Sequence, residues 1–174
     1  MEYTFTLKYQ LADDDHDQNA LVERLGDAGC DDALVGIGQP GRLAVEFTRE
    51  ADSADAAVRS ALADVRSAVP SARLIEVAPD LVGLTDVAEM VGVSRQNMRK
   101  LMLAHPSSFP APVHEGSASI WHLADVLTWL QAKGGYSLAR TVLDVAQVAL
   151  QVNVVKEGQR LPCSASKELQ ALVG

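Results

Sequence analysis

The first strand-like run, "EYTFTLKYQL", constrains the fold more than any other stretch of the chain. Tyr3, Phe5, Leu7 and Tyr9 alternate with Thr4, Thr6 and Lys8, and a period of two sends the large apolar side chains to one face of a strand and the polar ones to the other. A strand of this kind is covered on one side only, so it calls for amphipathic helices nearby in the sequence.

Those helices follow. "DDDHDQNALVERLGDAGC" changes to helical spacing, with Asp residues at its start, where the helix dipole favours negative charge, and Gly26 and Gly29 at its end. "ALVGIG", the turn "QPG" and "RLAVEFTR", in which Leu43, Val45 and Phe47 alternate, read as a hairpin. "SADAAVRSALADVRSAVP" is an amphipathic helix with Ser53 as its cap and Pro70 as its stop, and "ARLIEVAP" is a last strand. The order β-α-β-β-α-β predicts a ferredoxin-like domain over residues 1–79 of an α+β protein, an architecture that specifies no chemistry by itself. "APDLVGL", around Pro79, reads as the domain junction.

Charge divides the chain at the same place. Residues 1–80 hold 16 Asp/Glu against 7 Lys/Arg, net −9, and residues 81–174 hold 7 against 8, net +1, which recovers the total of −8. A polyanionic partner is therefore expected on the second half. Asp13, Asp14, Asp15 and Asp17 read as a solvated loop and helix cap rather than a cation site, because hard cations need spaced, converging oxygens. Cys30 and Cys163 are far apart, without ligand-spaced neighbours, and read as two reduced thiols. No long apolar run or leader pattern is present, so a cytoplasmic protein without membrane association is expected.

In "LTDVAEMVGVSRQNMRKLM", two short helical patterns meet at Gly92. Thr85 is positioned to cap the first, which holds Val87, Ala88, Met90 and Val91. Gly92 can take the left-handed conformation that reverses the chain, and Val93 can fill the gap between the helices. Ser94 caps the second helix, whose Met98, Leu101 and Met102 share one face and leave Arg95, Gln96, Arg99 and Lys100 on the other. Arg and Gln are the side chains suited to guanine and adenine edges.

Position by position, Val87, Ala88, Val91, Gly92, Val93, Met98 and Leu101 resemble the helix-turn-helix of DNA-binding proteins. Beyond it come Phe109-Pro110, a short strand at Ala111 to Val113, a turn centred on Gly116, a second strand at Ser119 to Trp121, and a helix carrying Val126, Leu127, Trp129 and Leu130. Residues 82–133 thus resemble the winged helix-turn-helix of the excisionase, AlpA and MerR-like group, in which an FP-x-P run, a small wing and a helix bearing Trp121, Asp125, Val126 and Trp129 follow the recognition helix. The resemblance implies double-stranded DNA as partner and transcription regulation as function. Ser94, Arg95, Gln96, Asn97, Arg99 and Lys100 then form the reading helix, with Arg95, Gln96 and Asn97 near base edges and Arg99 and Lys100 on phosphate. The wing departs from the group's pattern: where Arg or Lys is usual, "HEGSAS" offers His114 beside Glu115, leaving His114, Ser117, Ser119 and backbone N–H groups for phosphate. Trp121 and Trp129 read as core.

Two other functional classes fit the same residues. An antitoxin-like interaction protein would use the acidic N-terminal domain against a basic partner while the helix-turn-helix autoregulates, and a sensor would bind a small molecule there. Catalysis is not expected: His16, His105, His114 and His122 occupy unlike contexts, His122 reads as a helix-start surface residue, and no nucleophile motif or paired carboxylates recur. No metal or cofactor is expected either. In the last segment, 137–174, Ser137 can cap a helix in which Leu138, Val142, Val145, Ala149 and Val152 form one row and Leu143, Ala146, Leu150 and Val154 a second. The double stripe predicts packing on the same helix of a second protomer, a homodimer, against the alternative that both rows are buried within one chain. "QVNVV" leaves a strand open at its end.

Overall fold

The computed structural model describes residues 1–15, 17–161 and 167–173; His16 and Cys163 lie outside them. The protein is mixed α+β with antiparallel sheets. β1 (Glu2–Gln10), α1 (Gln18–Asp27), β2 (Ala33–Gly36), β3 (Arg42–Glu50), α2 (Ala54–Ala68) and β4 (Arg73–Ala78) follow the expected order, and the strands assemble as β2-β3-β1-β4. Alternation does what it predicted: Tyr3, Phe5, Leu7 and Tyr9 are buried with Leu43, Val45 and Phe47, while Thr4, Glu46 and Thr48 face out. Complete burial of a Leu or Phe contributes roughly 1.5–3 kcal/mol, so this one face carries much of the stability.

Caps set the helix ends. Asp17 accepts the N–H groups of Asn19 and Ala20, and Ser53 accepts that of Ala56. α1 ends at Asp27, just past Gly26, and Gly29, with φ +95°, closes the following turn, in which Cys30 N–H reaches the Leu25 carbonyl.

Arg49 is the charged residue inside this first core. Its guanidinium donates to both Asp32 oxygens (2.7 and 2.9 Å), to Asp64 (2.7 Å), to Ser60 Oγ and to the Gly29 carbonyl, and lies 4.7 Å from the Phe47 ring centre. It thereby ties β3 to α2 and to the loop after α1. The hydrogen bond from Arg49 holds the Asp32 carboxyl below its ordinary value. Burial, with Asp64's charge, pushes the Cys30 thiol up to about 11, which keeps it protonated and unreactive. A group with a depressed folded pKa contributes stability above its unfolded value, about 3.9 for Asp, and that contribution disappears as pH falls through the folded value. Arg49→Met should therefore cost roughly 3 kcal/mol at neutral pH. Below about pH 4 its stability should approach that of the parent, as urea titrations across pH would show; parallel curves would contradict this role.

Beyond Ala78 come β5 (Leu81–Val82), α3 (Leu84–Met90), α4 (Arg95–Ala104), β6 (His114–Glu115), β7 (Ser119–His122), α5 (Leu123–Lys133), α6 (Arg140–Gly158) and α7 (Lys167–Val173). β5, β7 and β6 form a second sheet, in that order. Several local expectations are corrected. Gly83, not Thr85, caps α3, its N–H held by the Asp86 carboxylate at 2.7 Å. The first strand of the second hairpin starts at His114 rather than Ala111, although Val113 N–H already bonds the Ile120 carbonyl. α6 begins at Arg140 after Ala139, without a side-chain cap from Ser137, and "QVNVV" is helical throughout.

The larger correction concerns α6. Val145, Val148 and Ala149 are buried in the core of the first sheet, with Val152 against it. Leu143 and Ala146 are buried in a second core with Val87, Met98, Trp121 and Leu127, and Leu138, Val142 and Leu150 pack against that core. Apart from Val154, both rows are thus covered within one chain, because α6 stands between two cores rather than on one. Val154, expected in the stripe, is 56% exposed. Among the described residues no helix is long and apolar enough to cross a membrane.

The junction at Pro79 is likewise not an open linker. The Asp80 side chain is fully buried, accepting from His122 Nδ1 at 2.6 Å and Asn153 Nδ2 at 2.7 Å, while its backbone carbonyl caps Leu123 N–H. Asn153, buried on α6, also bonds both the N–H (2.8 Å) and the carbonyl (2.9 Å) of Val77. His122 is accordingly a joint between the two cores, not a simple surface residue.

Candidate nucleic-acid interface

α3 and α4 are joined by a turn built from three residues. Gly92 has φ +71°, its N–H bonds Glu89's carbonyl, and Val93 N–H reaches back to Ala88's carbonyl at 2.9 Å, a reversal that a side chain at position 92 would strain. Ser94 Oγ then accepts Asn97 N–H at 3.2 Å and starts α4. Met98 is completely buried and Leu101 and Met102 half-buried, which fixes the rotation of α4 about its axis. Arg95, Gln96, Asn97, Arg99 and Lys100 are exposed as a consequence.

Their charge is uncompensated. Among the described residues Arg95, Arg99 and Lys100 take part in no hydrogen bond or ion pair of their side chains; elsewhere Lys8, Arg24, Arg49, Arg59, Arg140, Lys156 and Arg160 are each within 4 Å of a carboxylate, and Arg42, Arg66, Arg73, Lys133 and Lys167 are not. Three cations without counter-charges on two turns of helix, in a chain of net charge −8, form a local positive surface.

Leu103 stands on the same side and is 60% exposed. It was not among the sequence-derived candidates, although its place is readable: it falls off the row of Met98, Leu101 and Met102, one turn beyond Arg99 and Lys100. An exposed Leu beside Gln96 and Arg99 is suited to the methyl group of thymine. Met90, on α3, is 42% exposed.

The framework behind α4 is aromatic. Phe109 meets Trp121 and Trp129 edge-on, with centroids 6.2 and 5.1 Å apart. Trp121 is buried, its indole N–H donating to the Pro110 carbonyl at 3.0 Å, so the Phe109-Pro110 run is locked by the wing strand. Trp129 is only half-buried, with its N–H on Ser108 Oγ and Lys133 over its ring. In the wing, His114 and Ser117 are exposed beside the Gly116 turn and Ser119 is half-buried. α4 and the β6–β7 hairpin are thus both carried by one core, and of the two only α4 holds Arg or Lys. No family model, curated protein or solved structure matches the chain.

Proposed function

We propose that the chain is a sequence-specific DNA-binding transcriptional regulator, a ferredoxin-like domain coupled to a winged helix-turn-helix that sets α4 in the major groove. The exposed, unpaired row Arg95, Gln96, Arg99 and Lys100, held in one orientation by Met98, carries this reading. Arg95 and Gln96, with Asn97, address base edges from the start of the helix, and Arg99 and Lys100 address phosphates. Ser94, His114 and Ser117 add polar contacts. Few cations release few counterions, so one protomer binds weakly and two protomers on half-sites one or more turns apart belong to the proposal. Most of α6 is covered within one chain, but its C-terminal end leaves Val154 and Val155, with Leu161 just beyond, 56%, 61% and 58% exposed and open to a second copy.

Selection of bound fragments from a random duplex pool tests the reading and reports half-site spacing. On the selected site, Arg95→Ala should lose about 1–3 kcal/mol of discrimination against random DNA. Lys100→Ala should weaken both alike, with a salt slope shallower by about one unit. If both variants bind like the parent in anisotropy titrations at fixed salt, α4 is not the reader.

A further inference from the structure

The outer face of the first sheet is hollow at one corner. Register sets Gly36 of β2 opposite Ala44 of β3, so two adjacent positions on that face carry almost no side chain. On the other side of β1 the ladder to β4 slips: Lys8 pairs with Glu76 and Tyr9 with Leu74, which leaves Ile75 as the extra residue of a bulge. Ile75 lines the same hollow as Gly36 and Ala44, with Lys8, Gln39 and Arg42 around it, and its volume is about 380 Å³. That is the size of a small-ligand site.

The hollow carries positive side chains in a half of the molecule whose net charge is −9. Lys8 Nζ lies 2.6 Å from Glu76. Arg42 has its own neighbour's carbonyl at 3.3 Å and, like Arg66 and Arg73 elsewhere in this half, no ion pair among the described residues; of these three it is the one that lines the hollow. An uncommitted guanidinium over an apolar floor is suited to a carboxylate, which it can hold through two parallel N–H groups. Glu46 and Glu76 share this face of the sheet and would repel a polyanion.

We infer that this hollow binds a small organic monoanion, a carboxylate on a flat apolar body. The body lies on Gly36, Ala44 and Ile75, and the carboxylate is held by Arg42, Lys8 being paired with Glu76. The site is independent of α4 and of DNA binding. Benzoate is a suitable probe, titrated into the ¹⁵N-labelled full chain, with benzyl alcohol and inorganic phosphate as controls. Benzoate should shift the amides of Gly36, Gly38 and Ala44 saturably, and neither control should do so. Arg42→Ala, which removes the grip, and Gly36→Val, which fills the floor, should each weaken binding at least tenfold. Both positions leave the fold intact: Arg42 is exposed, and a Cβ at Gly36 would come no closer than 3.7 Å to Ala44. The inference is overturned by the absence of saturable shifts, by equal shifts with benzyl alcohol or phosphate, or by less than tenfold weakening in either variant.

Discussion

A chain ending at Lys133 is expected to lose cooperative unfolding rather than to persist as a smaller folded protein. Removing α6 strips Val145, Val148 and Ala149 from one core and Leu143 and Ala146 from the other. It also removes Asn153, leaving Val77 and Asp80 without their buried partner. Each large apolar side chain contributes roughly 1.5–3 kcal/mol, and together with the lost polar contacts the sum rivals the roughly 5–15 kcal/mol that holds a domain folded. Thermal melts followed by circular dichroism and proton chemical-shift dispersion would show it. A truncated chain that melts cooperatively within a few degrees of the parent would mean that α6 is an accessory. Association of protomers is therefore to be measured on the full chain, by light scattering, because truncation at Lys133 changes the fold as well as any contact between copies.

The second large effect is expected at Asp80. Its carboxylate is fully shielded from solvent and takes donors from β7 and α6 at once, so Asp80→Ala leaves His122 and Asn153 with unmet polar groups between the two cores. Loss of a buried, hydrogen-bonded charge costs roughly 3 kcal/mol. Urea denaturation should give a lower midpoint with an unchanged slope, and residues 78–84 should become sensitive to limited proteolysis. A loss below about 1 kcal/mol would show that hydrophobic contacts alone align the cores.

The two periodicities made most of the architecture readable. Period two in "EYTFTLKYQL" and "RLAVEFTR" located the buried face of the first sheet, and the Ser53, Gly92 and Ser94 signals located helix ends, because caps and reversals depend on neighbouring residues only. Long-range decisions were not readable in the same way. α6 displays two apolar rows, and a row shows that a helix is covered but not by what; only the meeting of two cores around it decides between one chain and two. Asp80 and Asn153 gave no signal either, since each is unremarkable among its neighbours and acquires meaning from a partner about 70 positions away. For α4 the exposed set was readable from Met98, Leu101 and Met102, and Leu103 was missed by attending to charge rather than to helical position.

Asn153 has one further consequence. β4 is an edge strand, and such an edge ordinarily offers a template on which another chain can add. Here the amide of Asn153 occupies the outward N–H and carbonyl of Val77 as a neighbouring strand would, and Lys156 takes the carbonyl of Ile75. The same helix that joins the two cores thus blunts the Ile75–Val77 part of this edge against strand addition, while the other edge of the sheet is the four-residue β2.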